Sequence, residues 1–510
     1  MQSPDILLET VHDLETLLRC AREEIRFLRK KCEWVDIYRL NSEMWQADNI
    51  RLKAENAQLL AQHASHKLEM EKVQTRLDQV EKRLGQDSNN SSKPPSSDPL
   101  YKKRRLAAPV GSKRKPGGQP GHEKHEQQIL PTKDVREVIP KECEHCQGSL
   151  QGKDPEPKLY QHIEIPPINP KVTHFLVHQI HCRRCGKVTR GKVSTGMRSG
   201  YGSRLEALVS HLTGTYRFSK RKTVSFLGEM YGIPLSLGMV CKMQERTSLA
   251  LEGGRAEIDA FVVNSKEPLN VDETGTRYKG KLAYTWVAVC SQAVKFLIGP
   301  RSRKSFDKLV GTPLGVITTD RFSVYRHLKK LSRQMCWSHL IRDFRGASEK
   351  KNGTGEIGKR LVKTGFQILK TWKRVRDGTK SRGDFIKYYL GRFQKRIRED
   401  LEKAIAYPNR KLGIVAKDLL KHFEALWQFA HVEGVEPTNN EAERQLRDIV
   451  IYRKICQSVQ SETGKRFVET IFSVNATCRK NGVKALEYIR SCIESFRKKL
   501  PSPRLIPLQG

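Results

Sequence analysis

Two aspartates stand where apolar runs end. Asp272 follows Leu269-Asn270-Val271 and Asp320 follows Gly315-Val316-Ile317-Thr318-Thr319, so both acids would terminate short strands. A carboxylate at the end of a buried strand is held rigidly yet reaches solvent, which suits Mg²⁺ or Mn²⁺, hard cations that prefer oxygen ligands. A third carboxylate on a helix packed beside those strands would complete a site for two-metal phosphoryl transfer. Glu443, in Asn439-Asn440-Glu441-Ala442-Glu443-Arg444, is the candidate. Each acid also has a plain structural reading: Asp320 can cap the turn after it, and Glu443 can pair with Arg447 one helical turn on. The order strand-Asp, further strands, strand-Asp, helices, helix-Glu favours the joint reading. His339 and Arg342 come just after a strand expected to end at Trp337. They are candidates for contact with a phosphate, with packing and ordinary surface charge as equally good explanations.

A second constellation is softer. Cys143-Glu144-His145-Cys146 and Cys182-Arg183-Arg184-Cys185 have the Cys-x-x-Cys spacing, with which two thiolates grip one zinc from a tight turn, and two such turns complete a tetrahedral site. Cys143, Cys146, Cys182 and Cys185 are therefore assigned to a structural Zn²⁺, with His145 or His181 able to replace a thiolate. Between the pairs, Tyr160 to Ile165 and Val172 to Ile180 read as two strands that would fold back and bring the pairs together. Four unligated surface cysteines are the alternative. The other cysteines, including Cys241, Cys290 and Cys336, read as small buried hydrophobes.

Positioning these groups requires several elements. Five short strands are expected at Leu269 to Asp272, Tyr284 to Cys290, Val294 to Ile298, Gly315 to Thr319 and Gln334 to Trp337. After Ser338 the chain reads as helical for about a hundred residues, and another helix begins after Pro437-Thr438-Asn439-Asn440. Upstream, Leu205, Leu208, Val209 and Leu212 mark one helix and Val224, Phe226 and Leu227 a second. Gly232-Ile233-Pro234 then turns into a third helix opening at Ser236, a helix-turn-helix-like pattern. Near the N-terminus, Val11, Leu14, Leu18, Ala21, Ile25 and Leu28 recur at steps of three and four, and Met70, Val73, Leu77, Val80 and Leu84 continue a heptad seam. Residues 5–85 are thus expected to form a long helix or helical hairpin that self-associates, rather than a helix lying on the protein's own body. Residues 86–136 have almost nothing apolar to bury, and Lys102-Lys103-Arg104-Arg105 and Lys113-Arg114-Lys115 make them a flexible basic arm.

Composition narrows the partner. Over 510 residues, 94 Lys and Arg face 56 Asp and Glu, a formal charge of +38, which points to a polyanion. Nucleic acid is favoured over an anionic membrane, because no run of about 18 apolar residues appears. The first residues also lack the apolar stretch of a signal peptide. A soluble cytoplasmic protein, nucleoid-associated when bound to DNA, is expected.

With these residues in place the chain resembles the transposases of the insertion sequence 66 family, of the Asp-Asp-Glu type, over nearly its whole length. The features in order are the N-terminal heptads, Asp87-Ser88-Asn89-Asn90-Ser91-Ser92-Lys93-Pro94-Pro95 and Pro116-Gly117-Gly118-Gln119-Pro120-Gly121-His122. The paired cysteines, Val271-Asp272-Glu273-Thr274, Thr319-Asp320, Cys336-Trp337-Ser338-His339 and Asn439-Asn440-Glu441-Ala442-Glu443-Arg444 follow. The resemblance implies a multidomain α/β protein with a ribonuclease H-like catalytic core, residues 265–338 and 437–500, interrupted by a helical insertion, residues 339–436. It makes Asp272, Asp320 and Glu443 the catalytic metal triad, in preference to the adjoining Glu273 and Glu441. Upstream it places a zinc-binding ribbon at 137–190 and a helical DNA-binding domain at 200–260. The implied activity is cleavage and strand transfer at terminal inverted repeats of double-stranded DNA, by a homo-oligomer with which accessory transposition proteins can take part. A catalytically inactive zinc-containing DNA-binding regulator or architectural protein is the alternative. Two departures stand out: Arg321-Phe322 where relatives often have Gly-Tyr, and Asp448 where Pro is common.

Overall fold

The sheet that carries the two aspartates grows from a hairpin. In the computed structural model, β3 (Leu269–Tyr278) turns through Lys279 and Gly280, both at positive φ (48° and 74°), into β4 (Lys281–Val289). Two left-handed residues in succession are what a tight hairpin turn demands of its backbone. β5 (Val294–Gly299) pairs antiparallel with β4, whereas β6 (Ile317–Thr319) and β7 (Arg333–Met335) lie parallel on the other side of β3, in the order β5-β4-β3-β6-β7. The parallel crossover from β5 to β6 contains helix α5 (Arg303–Val310), as a parallel connection requires. The structure describes residues 16–27, scattered positions between 58 and 76, and residues 128–507 apart from 195–196, 198–199, 313, 351–352, 408–410 and 458.

One core joins this sheet to helices from both ends of the described chain. Ahead of it come α1 (Ser203–Gly214), α2 (Lys220–Tyr231), α3 (Leu237–Ala250) and α4 (Glu252–Asn264). Ser219 and Ser236 cap α2 and α3 by accepting the N–H of Lys222 and Met239, and Gly232 ends α2 in the left-handed conformation at φ 62°. This segment has a small core of its own (Val209, Leu227, Leu235, Val240, Met243), yet Ala207, Leu251, Ile258 and Val262 join the sheet's core. The described part of residues 200–260 is therefore continuous with the sheet.

A second core lies in α6 (Trp337–Ser348), α7 (Gly353–Arg376), α8 (Gly391–Ile405) and α9 (Lys411–Lys421), around Trp337, Phe344, Leu361, Trp372, Ile397 and Leu401. The chain then returns to the sheet with α10 (Asn440–Cys456), α11 (Glu462–Lys480) and α12 (Ala485–Lys498), where Phe472 meets Phe296 of β5 edge to face. The expected strand Gln334 to Trp337 stops at Met335, and Trp337 opens α6 instead. Its N–H, which the first turn of a helix leaves free, donates to Pro437 O at 2.9 Å.

Two expected strands do not form ladders. Tyr160 to Ile165 is irregular, and of Val172 to Ile180 only Gln179 and Ile180 enter a strand, β1 (Gln179–His181), which pairs with β2 (Val188–Arg190). An alternating pattern makes a strand only where a partner accepts its backbone hydrogen bonds, and here Tyr160 and Leu176 are exposed. Of the N-terminal seam, residues 16–27 are helical, with Leu18 8% exposed against 60% for Leu17, and His66 Nδ1 lies 3.6 Å from Glu24. Leu14, Leu77 and the arm to residue 127 lie outside the described residues. No helix among the described residues is long and apolar enough to cross a membrane.

Candidate active site

Strand register brings the two aspartates together. Asn270 of β3 is level with Thr318 of β6 in a parallel pair, so Asp272, two residues on in β3, lies where β6 ends and Asp320 follows it. Neighbouring strands lie about 4.8 Å apart, a span that one cation or a pair of cations can bridge. The Asp272 carboxyl is pushed well above its ordinary range, chiefly by burial and then by the negative charges of Glu273, Asp320 and Glu443, with His339 acting in the opposite sense. Asp320 accepts the N–H of Phe322 at 2.9 Å, so it does cap its turn. A carboxylate has lone pairs to spare for this.

Glu443 reaches the same place from the first turn of α10. What seats that turn is Asn439, fully buried, whose Nδ2 donates to Val271 O at 2.8 Å, next to Asp272. Its backbone N–H donates to Cys336 Sγ at 3.1 Å, and its carbonyl accepts the Glu443 N–H at 3.2 Å. Cys336 N–H in turn donates to Thr319 O at 2.9 Å. The first half of β3, the ends of β6 and β7 and the starts of α6 and α10 are thus stitched into one corner. Glu443 Oε1 lies 3.6 Å from His339 Nδ1, and both atoms are buried without a hydrogen-bond partner. Among the described residues Glu443 forms no ion pair with Arg447.

The neighbouring acids are engaged elsewhere. Glu273 is held by Arg301, at 2.6 and 2.9 Å, and by the Tyr325 hydroxyl. Glu441 pairs with Arg444 and with Lys480, the latter at 3.1 Å. Burial lowers the basicity of His339, but the hydrogen bond and charge of Cys336 and the charges of Asp272 and Glu443 outweigh it, pushing the imidazole up to about 10. Arg333, pulled down by burial to about 10, still carries its proton at neutral pH and holds Thr319 Oγ1 at 3.0 Å and Asp320 O at 2.7 Å. Arg342 is half-buried on α6. Asp272 accepts the Glu273 N–H at 3.0 Å, so each aspartate has one backbone partner and oxygen lone pairs left over, and with Glu443 Oε1, which has no hydrogen-bond partner, they offer the donor type of a hard divalent cation.

Both sequence departures are accommodated. Arg321 pairs with Asp343 of α6 at 3.0 Å and Asp418 of α9 at 3.2 Å, tying the Asp320 turn to the helical insertion. The Phe322 ring lies 3.5 Å beneath the Arg301 guanidinium. Asp448 pairs with Arg217 at 2.6 Å and Arg479 at 3.1 Å, joining α10 to the α1–α2 turn and to α11.

The paired cysteines form two separate turns. Cys143 O accepts the Gln147 N–H and Cys182 O the Gly186 N–H, each at 2.8 Å. The Cys143 thiol lies below its usual range because the backbone N–H groups of Cys146 and His145 face it, and Cys182 likewise because of Cys185 and Arg184. Each turn is thus shaped to favour thiolate. The structure does not bring the two pairs together: among the described residues, the one group of three or more Cys, His, Asp or Glu ligand atoms within 4.8 Å of each other is Cys336, His339 and Glu443. The fold-back was expected from two strands that form no ladder.

Sequence reasoning missed Asn439 and took Cys336 for a core hydrophobe. The Cys336-x-x-His339 spacing across a strand-to-helix junction was the available signal, since residues three apart share a helix face.

In comparison with known proteins, residues 205–466, slightly more than half of the chain, match the family described as "Transposase IS66 family". Residues 43–128 match a family of unknown function. No curated protein matches the chain.

Proposed function

The chain belongs to the IS66 transposase family, and from that premise we propose that it is a metal-dependent DNA transposase whose catalytic triad is Asp272, Asp320 and Glu443. The strand order, three antiparallel strands followed by two parallel ones beside the first, supports a ribonuclease H-like core. The observation that carries the reading is the buried Asp272 carboxyl, which feels the charges of both Asp320 and Glu443, together with Glu443 Oε1, buried without a hydrogen-bond partner. The three carboxylates do not form a group within 4.8 Å, and bound cations would draw them together.

Asp272, Asp320 and Glu443 would hold Mg²⁺ or Mn²⁺. When bound, such ions activate an attacking oxygen and stabilise the leaving oxygen of a phosphodiester. The protein's own residues prepare for this. Asn439 seats Glu443 against β3, Arg301 and Tyr325 keep Glu273 out of the site, and Lys480 and Arg444 do the same for Glu441. His339 holds its proton at neutral pH and offsets the charge of Asp272 and Glu443. Water would attack the phosphodiester at an element end, and the freed 3′-hydroxyl would then attack target DNA. The charge of +38 supplies attraction for the phosphate backbone. Helices α1–α3, the basic arm and a zinc module built by Cys143, Cys146, Cys182 and Cys185 would grip the terminal repeats. The heptads of residues 5–85 would pair protomers.

The test is cleavage of labelled DNA carrying the flanking inverted repeats. Asp272→Asn, Asp320→Asn and Glu443→Gln should each lower metal-supported cleavage by at least about 10²-fold, while Glu441→Gln retains most of it. Cleavage that persists in excess chelator, or is equal in wild type and Asp320→Asn, refutes the triad and leaves the DNA-binding regulator as the reading.

A further inference from the structure

Cys336, His339 and Glu443 present a sulfur, an imidazole nitrogen and a carboxylate oxygen that all lie within 4.8 Å of one another. The trio is assembled by three elements: Cys336 caps α6 from the end of β7, His339 sits in the first turn of α6, and Glu443 sits in the first turn of α10. Cys336 is 1% exposed and fixed from both sides, by its own N–H to Thr319 O and by the Asn439 N–H to its sulfur. His339 Nδ1 and Glu443 Oε1 are buried with no hydrogen-bond partner.

The geometry and the chemistry of the donors point the same way. In a tetrahedral zinc site, with Zn–N and Zn–O near 2.1 Å, nitrogen and oxygen ligands stand about 3.4 Å apart. The separation here is 3.6 Å. Sulfur is a poor ligand for Mg²⁺, whereas a Cys-His-carboxylate set suits a borderline-soft ion. Three protein ligands leave a fourth position open, as in zinc sites that exchange a ligand.

We propose that Cys336, His339 and Glu443 form a binding site for a borderline-soft divalent cation, Zn²⁺ being the representative ion. Binding releases the Cys336 thiol proton and the His339 imidazolium proton to solvent as the sulfur–metal and nitrogen–metal bonds form. Only Glu443 is shared with the carboxylate triad, so an ion held here withdraws that residue from Mg²⁺, and the two ions compete. The site rests on its own ligands and stands whether or not the chain cleaves DNA.

Co²⁺ is the probe, titrated without DNA into full-length protein freed of metal. Tetrahedral thiolate-bound Co²⁺ absorbs in the near ultraviolet and the visible, and the paired cysteines contribute as well. The informative quantity is therefore the difference between wild type and Cys336→Ser. Cys336→Ser should lose about one cobalt equivalent per chain and its share of the thiolate band, with the remaining spectrum unchanged. His339→Gln and Glu443→Gln should each shift the wild-type spectrum and weaken the same equivalent by at least about tenfold; they serve where Cys336→Ser does not fold. In wild type, Zn²⁺ should also protect Cys336 from alkylation, read by mass spectrometry of its peptide. Identical cobalt stoichiometry and spectra across wild type and the folded variants, or alkylation of Cys336 unaffected by Zn²⁺, overturns the proposal. Because no cleavage is measured, failure of the transposase reading would leave these results unmoved.

Discussion

Replacing Asn439 by Ala separates positioning from ligation. The side chain is fully buried and its Nδ2 donates to Val271 O at 2.8 Å, while the backbone bonds of Asn439 to Cys336 and Glu443 survive truncation. Loss of a buried hydrogen bond costs about 1–3 kcal/mol when a partner is left unsatisfied. Against a total stability of about 5–15 kcal/mol, even the least favourable combination leaves roughly 97% of the molecules folded. The unfolded fraction therefore cannot account for a large functional defect. The first turn of α10, however, loses the pin that holds it to β3 beside Asp272, and removal of such a supporting partner lowers metal affinity by about 10–100-fold. The assay is Mn²⁺ affinity by titration calorimetry alongside denaturant unfolding. Asn439→Ala should be destabilised by the amount above and bind Mn²⁺ at least about tenfold more weakly. The expected destabilisation with unchanged Mn²⁺ affinity would refute the claim that Asn439 places Glu443, and unchanged stability would refute the hydrogen bond itself.

Two further outcomes follow from the electrostatics and the cysteine turns. The raised Asp272 carboxyl binds its proton more tightly folded than unfolded, so its contribution to stability is present at low pH and is lost as pH rises through the folded value. His339, raised from 6.5 to about 10, adds a loss of the same sign between those values. Melts should therefore show a larger stabilisation by Mg²⁺ at about pH 8 than at about pH 5, and Asp272→Asn should abolish most of that difference; a Mg²⁺ effect that is flat with pH in wild type would contradict it. The two cysteine turns stand apart in the structure, so one zinc would have to draw them together; on that proposal, metal analysis of purified protein should find about one zinc shared by both pairs. Cys143→Ser and Cys182→Ser should each lose that same ion, whereas retention of zinc in either would show that the pairs do not share it.

Much of the local architecture was written in short-range pattern. The apolar run before Asp320 became β6, whereas the strand expected to end at Asp272 continues to Tyr278, because β4 pairs with it over its whole length; Ser219, Gly232 and Ser236 bound their helices where capping chemistry required. Such features depend on backbone neighbours a few residues away, so the sequence alone determined them. It also carried the ordered motifs that mark the family. What each side chain faces was decided by elements distant in the chain. Glu273 and Asp272 are adjacent, yet Arg301 and Tyr325 claim the first and leave the second in the corner. Glu441 and Glu443 are two residues apart on one helix, and the 100° advance per residue sends one to Lys480 and the other to His339. Cys336 looked like any small core residue until β6, α6 and α10 met around it. The strands expected between the cysteine pairs show the converse: alternation supplies a candidate strand, and only tertiary structure supplies the partner whose hydrogen bonds make it one.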